Sequence, residues 1–411
     1  AVASAENVVV EAVPNEGQFE GQELSILVSA DWMADRYDAT IARFEETYGV
    51  TVDLQTLPAD QYFDVLTSGL ANGTCADVFW IQSNPVGAIE SMIGDPENRC
   101  IDFTGADWQN VMPESRQSAC ISGGKLYGLQ IWNNSPEYVM LYNKTLFDEA
   151  GVAYPTNDMT WEQYAELAKT MTGKGNSKYG THNHTWLSAI ANFAVNDGVN
   201  TLLDGEYSDL QYFYDLALDL EDAGACRPYT ELTAAGLHYS AAFQVGDTAM
   251  MPMGYWYVAT LINNLKQGLC DFEWGITALP HKEDVPAGSS FGNLTGIMIN
   301  KKSDQKDLAW EYLSWLCGPE GSQVTAATGN RPAWVSSEIA EVLAGVEGFA
   351  PDENSKAALM PSMVSIEIGV HEYLGEIQTI LNEEHTMIMT REITAEEGIE
   401  EMNGRVAELF E

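Results

Sequence analysis

The 411-residue chain is short of positive charge. It has 19 Lys and Arg against 61 Asp and Glu, and hence a formal net charge of −42. A surface of this sign repels nucleic acid and anionic lipid headgroups, so neither is an expected partner. Phosphorylated or sulfated ligands are also disfavoured, whereas neutral or cationic ligands are compatible with this charge. The same charge favours a soluble monomer.

The sequence also lacks a run of 18 or more apolar residues, so no segment is predicted to span a membrane. No signal peptide is evident at its start. The first residues are small and acidic, and Gly and Pro interrupt them. We therefore expect residues 1–22 to be a flexible tether left after processing of an exported protein.

No pair among the six cysteines has C-x-x-C spacing and none lies near a histidine, which argues against a zinc site. Their even number fits disulfides in an extracytoplasmic protein, but many pairings are possible. Cys226 follows a predicted helix and Cys270 opens a predicted strand, so this pair is the first candidate. Buried free thiols are the alternative. His182 and His184 have no third metal ligand nearby and are interpreted as part of a solvated loop.

Apolar periodicity predicts an α/β protein. Two lobes are expected because a chain of this length exceeds the size at which one hydrophobic core keeps growing. Residues 24–29, 50–57 and 76–80 are strand-like with helical segments between them, which predicts a parallel sheet. In such sheets ligands bind at the carboxyl ends of the strands. The residues expected at these ends are Asp31, Trp32, Trp80, Gln82 and Asn84.

Residues 125–152 are the segment around which the rest of the chain is predicted to be organised. Two strand-like runs enclose Trp132 and Asn133, which predicts a crossing from one lobe to the other beside a small-ligand site. Further on, Thr160 and Gln163 have the spacing of a capping box at a helix N-terminus. Residues 295–302 are interpreted as the strand that returns to the first lobe.

Seven segments in order over residues 24–335 carry a family resemblance. They are ADVFW, GKLYGL with LYNKTLF, TWEQYAELAKTMT, FQVGDTAMMPMGYW, GITALPH, GIMINKKSDQKDLAWEYLSWL and TGNRPA. Together they resemble the extracellular solute-binding proteins of ABC transporters, in the carbohydrate-binding group that includes maltose-binding protein. The resemblance implies a two-lobed periplasmic-binding-protein-like fold, in which each lobe is a mainly parallel sheet flanked by helices. Hinge strands would join the lobes around a sugar in the cleft.

The resemblance also implies domain boundaries, a location and partners. The first lobe would comprise 23–140 and 296–332, and the second 141–295 and 333–411. The protein would be extracytoplasmic, either lipid-anchored on a Gram-positive cell surface or periplasmic, and would pass its ligand to membrane permease subunits. No cofactor or metal is expected.

The resemblance further implies ligand contacts at residues spread over both predicted lobes. They are Asp31, Trp32, Trp80, Gln82, Asn84, Trp132, Asn133, Trp186, Tyr255, Trp256, Asn293, Arg331 and Glu367. Uncharged Gln82 and Asn84 stand where maltose-binding protein has charged residues, which argues against maltose as the ligand.

These residue types suit a pyranose, because indole rings cover its apolar faces while amides, carboxylates and arginine pair with its hydroxyls. Trp256 is the first candidate for a stacking surface, and Arg331 either binds the ligand or forms a structural ion pair. The predicted function is non-catalytic capture of a neutral carbohydrate, a short oligosaccharide in the leading interpretation. A polyamine, peptide or metal ligand is the alternative within binding proteins.

An enzyme is the alternative from another class. Among 61 acidic residues, some pair of carboxylates at the separation found in glycoside hydrolases must arise by chance. Neither a serine nucleophile elbow nor a metal motif is present to support hydrolysis. A non-enzymatic protein is therefore predicted.

Overall fold

The structure is a computed structural model that describes residues 17–82, 89, 93–104, 120–133, 138–292, 294–332, 336–366, 371 and 373–411. Only the backbone is described at 30–37, 59–60, 82, 130–133, 294–295, 364 and 366. The described chain forms two compact units, the first within 17–82, 89–131 and 295–325 and the second within 132–294 and 326–411. Over these ranges no helix has the length and apolar character needed to cross a membrane.

Helices and strands alternate along most of the chain. Up to residue 143 the elements are β1 (Glu23–Ser29), α1 (Ala30–Tyr48), β2 (Thr51–Leu57), α2 (Ala59–Asn72), β3 (Val78–Gln82), α3 (Pro96–Arg99), β4 (Ile121–Ser122), β5 (Lys125–Leu126), β6 (Gly128–Asn133) and β7 (Tyr138–Asn143). From there to residue 277 they are α4 (Lys144–Ala150), α5 (Trp161–Met171), β8 (Tyr179–Thr181), α6 (Ala191–Ala194), α7 (Leu210–Asp222), α8 (Tyr229–Ala235), α9 (Tyr239–Gln244), β9 (Thr248–Gly254), α10 (Trp256–Lys266) and β10 (Trp274–Thr277). Short 3-10 helices at Leu187–Ala189 and Val195–Asp197 flank α6.

The remaining elements are mostly helical. They are β11 (Ser289–Gly292), β12 (Leu294–Ile299), α11 (Lys306–Cys317), α12 (Pro319–Ala327), α13 (Ser337–Ala344), α14 (Glu353–Ala357), β13 (Met363–Ile366), α15 (Leu374–Met389) and α16 (Ala395–Leu409). Strand β13 pairs in parallel with β11. Both strands are four residues long, and neither was predicted, because segments this short carry too little periodicity to separate a strand from a loop.

The first unit contains a five-stranded sheet in the order β2-β1-β3-β12-β6. Strand β1 runs parallel to both β2 and β3, as the alternation of strands and helices predicts. Strand β12 pairs antiparallel with β3, in a register that places Ile297 opposite Trp80. Leu24, Ile26 and Val28 of β1 are fully buried, so the sheet supplies the centre of this unit's core.

Asp31 and Trp32, predicted at the carboxyl end of the first strand, lie in a helix. Helix α1 starts at Ala30, directly after β1, so both residues belong to its first turn. Ser29 occupies the N-cap position with an extended backbone, but its side chain makes no capping hydrogen bond. The sequence thus has a residue type that is common at the N-cap, but the structure does not use its side chain to cap the helix.

The second unit contains a four-stranded sheet in the order β10-β7-β9-β8. Strand β7 pairs antiparallel with both β10 and β9, whereas β8 and β9 are parallel. The sheet is therefore mixed and not mainly parallel as expected. The difference arises because β7, the predicted crossover strand, lies in the middle of the sheet and runs opposite to both neighbours.

Strand β7 contributes side chains to two hydrophobic clusters, because successive side chains of a strand point to opposite faces of the sheet. Tyr138, Met140 and Tyr142 pack into one hydrophobic cluster, while Val139 and Leu141 pack into another. All five side chains are buried. Helix α5 covers the first face, and its predicted capping box is confirmed by bonds of 2.9 and 3.3 Å between Thr160 and Gln163.

The cysteine pairing predicted for the second unit is wrong. All six cysteines are free thiols. Cys226 belongs to the cluster around Tyr138, and Cys270 belongs to the cluster on the other face of the sheet. Burial raises the pKa of the Cys226 thiol to about 12, which keeps it protonated and unreactive.

Three predicted boundaries also differ from the structure. The last residues of the predicted 1–22 tether are folded: Phe19 is buried, and the backbone N–H of Gly21 donates to the Gly49 carbonyl at 2.8 Å. The units divide at 131/132 and 325/326. The predicted limits at residues 140 and 332 fall later, because Tyr138–Asn143 belongs to the sheet of the second unit and Ala326 to its core.

The buried histidine of α15 gives a test of this packing. His385 accepts a hydrogen bond from the Tyr214 hydroxyl through Nδ1 (3.1 Å), and its Nε2–H donates to the Thr185 carbonyl (3.2 Å). This arrangement requires a neutral ring. Burial accordingly lowers the pKa of His385 to about 4.

We predict that His385→Gln destabilises the chain by about 1–3 kcal/mol at pH 7.5, as expected for loss of buried hydrogen bonds. The deficit should shrink as the pH falls from about 6.5 towards 4. Because the folded pKa lies below the unfolded value, protonation favours the unfolded wild type, and the His385 contribution is complete only above about pH 6.5. Urea unfolding midpoints of both proteins between pH 7.5 and 4.5 measure this. A difference independent of pH would contradict the prediction.

Candidate functional site

The second unit presents a connected group of aromatic rings, called here the aromatic cluster: His184, Trp186, His238, Tyr239 and Trp256. The Trp186 ring centroid lies 4.5 Å from that of His184, 5.5 Å from that of Tyr239 and 6.5 Å from that of Trp256. Trp186 is 40% exposed, which is unusual for so large an apolar side chain. The cluster therefore offers an indole surface to solvent, backed by further rings.

Trp256 is positioned by a close approach to the backbone. It opens α10 two residues after Gly254, the last residue of β9. A Cβ atom on Gly254 would lie 2.2 Å from the Trp256 indole, so only glycine fits there. The indole Nε1 donates to the Tyr239 hydroxyl at 2.9 Å, and the ring also packs edge-on against Tyr138 at 5.3 Å.

Trp186 is positioned by the short helices that follow it. It is the residue before the 3-10 helix Leu187–Ala189, and its backbone is extended. The next residue but one, Ser188, shares a hydrogen bond with the Tyr138 hydroxyl at 3.2 Å. The Trp186 indole meets the His184 ring edge-on, with an interplanar angle of 78°. One segment thus supplies both the exposed indole and the contact to β7 that holds it.

The two histidines before Trp186 do not form a solvated loop as predicted. His182 is fully buried and His184 is 8% exposed. Burial, followed by the charges of neighbouring basic groups, lowers the pKa of His182 to about 3 and that of His184 to about 4. Both rings are therefore neutral near pH 7. Within the described part of the chain, no three His, Cys, Asp or Glu side chains are placed to hold a metal ion.

Arg331 and Tyr255 lie in the interior of the second unit. Arg331 is 5% exposed, its Nη2 donates to the Leu359 carbonyl at 2.7 Å, and its guanidinium lies 5.9 Å from the Tyr255 ring centre. Burial raises the pKa of Tyr255. Tyr255 directly precedes Trp256, so these two buried side chains lie next to the N-terminal end of α10.

Trp80 in the first unit is a core residue. It is fully buried in β3, and its backbone N–H donates to the Tyr62 hydroxyl at 3.1 Å. The Tyr62 hydroxyl donates in turn to backbone carbonyls of β1 and β3, and thereby ties these strands together. From the sequence alone, a ligand-binding tryptophan at the end of a strand cannot be distinguished from a core tryptophan.

The other predicted ligand residues of the first unit and the crossover are described only in part. The backbones of Asp31 and Trp32 lie in α1, that of Gln82 in β3, and those of Trp132 and Asn133 in β6, while their side chains lie outside the description. Asn84, Asn293 and Glu367 lie outside the described residues altogether. Their predicted roles stay predictions.

Three members of the aromatic cluster were not predicted. Tyr239 and His238 lie in the segment LHYS, for which no role was predicted, and His184 was predicted to lie in a solvated loop. The sequence feature that could have pointed to the aromatic cluster is the density of aromatic residues between 182 and 186, where two histidines and a tryptophan occur within five positions. Their convergence with Tyr239 is a tertiary contact that no local pattern encodes.

A concavity of about 440 Å³ in the second unit is lined by both polar and apolar residues, among them Asn157, Ser290, Asn354 and Met360. Tyr138, which also contacts Trp256, belongs to this lining. The polar groups of the concavity are bonded to one another. For example, Asn157 donates to Asn354 at 2.7 Å, and Ser290 donates to the Tyr138 carbonyl at 3.2 Å. Such internal pairing leaves few groups to recognise a ligand, so the aromatic cluster is the stronger candidate site.

Comparison with protein families finds one match that covers most of the chain. A family model described as bacterial extracellular solute-binding protein matches residues 30–323. The chain is 28% identical over 215 residues to an arabinooligosaccharide-binding protein of Halalkalibacterium halodurans, covering 49% of this chain and 46% of that one. It is 22% identical over 284 residues to a binding protein of Brucella abortus, covering 66% and 65%. The chain thus spans about half to two thirds of these curated relatives.

Two solved structures match nearly the whole chain. A sugar transporter from Rhizobium etli, in an open conformation, is 32% identical with a TM-score of 0.82, covering 94% of this chain and 99% of that one. An ABC substrate-binding protein from Listeria monocytogenes, in complex with cycloalternan, is 20% identical with a TM-score of 0.73, covering 95% and 99%.

The packing of Trp256 can be tested on the unliganded protein. Gly254→Ala should force the indole away from its place and break its hydrogen bond to Tyr239, since a Cβ there would overlap the ring. We expect a loss of about 1–3 kcal/mol, as for overpacked cores, and a change in tryptophan fluorescence.

Gly375→Ala is the matched control, because Gly375 lies in α15 and a Cβ there would meet nothing within 4 Å. It should leave the stability unchanged or raise it slightly, since alanine is the better helix former. Equal thermal midpoints and emission spectra for Gly254→Ala and the wild type would refute the proposed packing.

Proposed function

Since the chain belongs to the bacterial extracellular solute-binding protein family, we propose that it captures a neutral carbohydrate and delivers it to the permease subunits of an ABC transporter. The family resemblance predicted from seven sequence segments and the α/β periplasmic-binding-protein-like fold are thereby confirmed. Family membership places the protein outside the cytoplasm. Attachment by a lipid anchor, or residence in a periplasm, is part of the proposal.

The exposed indole of Trp186 carries the proposal of a carbohydrate ligand. An aromatic ring that is 40% exposed and held from behind by other rings offers a flat apolar surface. The C–H face of a sugar ring is complementary to such a surface, and its burial there is favourable. The names of relatives agree: one binds arabinooligosaccharides, one is a sugar transporter and one is complexed with cycloalternan. A short oligosaccharide is therefore the proposed ligand.

A polyamine is the alternative ligand, and the overall charge of −42 favours cations in general. Recognition of a di- or tri-cation would need carboxylates beside the rings. The ring contacts described for Trp186, to His184, His238, Tyr239 and Trp256, supply a stacking surface. The proposal therefore names a carbohydrate and keeps a polyamine as the alternative to be tested.

The ligand class is tested by thermal shift of the purified chain. We expect one or more of arabinotriose, maltotriose and cycloalternan to raise the unfolding temperature, with spermidine and a tripeptide giving no shift. A ligand at about 100 times its Kd adds about 2.7 kcal/mol to a folded state that alone binds it. A shift with spermidine or the tripeptide, and with none of the sugars, would reject the carbohydrate proposal but leave the family assignment intact.

The role of Trp186 is tested by substitution. Trp186→Ala should raise Kd for the carbohydrate at least about tenfold, equivalent to about 1.4 kcal/mol of lost ring contact. Calorimetric titration of the full chain measures the change.

Tyr154→Ala is the matched control, since Tyr154 is similarly exposed at 39% but contacts Tyr142 and Phe147 and not the aromatic cluster. It should leave Kd unchanged. Equal Kd values for the wild type and Trp186→Ala would show that the Trp186 indole does not bind the ligand.

A further inference from the structure

Tyr138, the first residue of β7, lies between the segments that carry the two tryptophans of the aromatic cluster. Strand pairing places it opposite Gly254, and its ring packs edge-on against Trp256 with a centroid separation of 5.3 Å. Its hydroxyl shares a hydrogen bond of 3.2 Å with Ser188, in the turn that follows Trp186. One side chain therefore joins the segment of the exposed indole to the segment of the second indole.

The turn after Trp186 depends on tertiary contacts for its position. Leu187–Ala189 is a single turn of 3-10 helix, and the Ala189 N–H donates to the Trp186 carbonyl at 3.0 Å. The backbone of Trp186 is thus part of this turn. A single turn has few hydrogen bonds of its own, and those of a 3-10 helix have poor geometry. The bond from Ser188 to β7 therefore holds the turn, and with it the residue that carries the exposed indole.

The residue before Trp186 is held by a second hydrogen bond. His385 of α15 donates to the Thr185 carbonyl at 3.2 Å. The exposed indole therefore lies between two bonded positions, Thr185 on one side and Ser188 on the other. Any residue at 185 would offer a carbonyl, whereas the second bond requires a hydroxyl at both 138 and 188. The bond between Tyr138 and Ser188 can therefore be removed from either end by a small substitution.

The Tyr138 hydroxyl has a defined position because the ring that carries it is tightly packed. The side chain is 2% exposed, and its ring centroid lies 4.8 Å from that of Phe291 and 6.3 Å from that of Phe193. A phenylalanine would pack against these rings and against Trp256 in the same way. It would lose the bond to Ser188, so the hydroxyl has a role that the packing alone does not explain.

We propose that Tyr138 is a positioning residue for the ligand, and that its hydroxyl and ring hold the Trp186 indole in a fixed arrangement with Trp256, at 6.5 Å between the ring centroids. The inference rests on the proposed function, in which a carbohydrate stacks on Trp186. A stacking surface that is already in place loses little conformational freedom when a ligand binds, so its affinity is higher. Without the hydroxyl the turn is freer in the unliganded protein, and ordering it on binding lowers the affinity.

Two substitutions remove the two partners of the same hydrogen bond. Tyr138→Phe keeps the ring against Trp256 and removes the hydroxyl, whereas Ser188→Ala removes the group that it bonds. Each should raise Kd for the carbohydrate about three- to tenfold, the size expected for the loss of one intramolecular hydrogen bond. Because both changes break the same bond, the Kd of the double variant should lie within about twofold of the single variants.

Tyr142→Phe is the matched control. Tyr142 lies on the same strand and the same face of the sheet as Tyr138, and it is equally buried. Its hydroxyl bonds Asn354 and Ser355 of α14, and its described ring contacts lie outside the aromatic cluster. The control should lower the thermal midpoint about as much as Tyr138→Phe does, because each loses a buried hydrogen bond. It should leave Kd within about twofold of the wild type.

Fluorescence quenching by acrylamide reports the placement of the indole without a ligand. Acrylamide is neutral, so the net charge of −42 does not repel it. Trp186 is 40% exposed and should therefore be readily quenched, and comparison with each protein carrying Trp186→Phe isolates its share. In the unliganded chain this share should change in Tyr138→Phe and in Ser188→Ala, and it should match the wild type in Tyr142→Phe.

The experiment combines this quenching with calorimetric titration of all variants with arabinotriose, maltotriose and cycloalternan. The inference is supported if Tyr138→Phe and Ser188→Ala both raise Kd, the double variant adds nothing, and Tyr142→Phe binds like the wild type. It is overturned if Tyr138→Phe weakens binding and Ser188→Ala does not, or if the two losses add, since the hydroxyl would then act apart from Ser188. An equal loss of affinity in Tyr142→Phe would also overturn it, because general destabilisation would explain the effect.

Failure of the inference and failure of the proposed function give different results. If Trp186→Ala weakens binding and Tyr138→Phe binds like the wild type, the inference is overturned and the proposed function is kept. If none of the sugars binds the wild type, the proposed function fails, and the quenching decides the inference. A changed share of Trp186 in both variants then supports the positioning role, and an unchanged share overturns it.

Discussion

The candidate site depends on a single steric constraint, the contact between the Trp256 indole and the backbone at Gly254. The indole occupies the space that any Cβ atom at Gly254 would fill, and this fixes its orientation where β9 gives way to α10. From that position Nε1 reaches the Tyr239 hydroxyl, and Tyr239 in turn contacts Trp186 and His184. The exposed indole of Trp186 is thus held by rings and backbone, so little conformational entropy remains to be lost when a ligand binds.

The charge of the whole molecule does not extend to the ring that borders the exposed indole. The chain carries a net charge of −42, whereas burial lowers the pKa of His184 to about 4, so this ring is neutral near pH 7. A neutral imidazole whose ring centroid lies 4.5 Å from that of the Trp186 indole suits a ligand that is polar but not charged.

Much of the fold could be predicted because it is encoded locally. The capping box of Thr160 and Gln163, the parallel pairing of β1 with β2 and β3, and the family resemblance all depend on short-range patterns. The misassigned features depend on tertiary contacts. His184 and His182 lie in a polar stretch, and their burial depends on tertiary packing, which brings the His184 ring against Trp186 and Tyr239. Cys226 and Cys270 looked compatible as a pair, but the sheet places them in different cores.

The central claim is that carbohydrate stacks on Trp186, and fluorescence titration tests it most directly. The wild type titrated with arabinotriose, maltotriose or cycloalternan should show a saturable change in tryptophan emission, because stacking replaces water beside an indole that is 40% exposed. The same titration of Trp186→Phe, with an unchanged thermal midpoint, should lose most of that change. An identical saturable change in both proteins would place the ligand elsewhere and contradict the account.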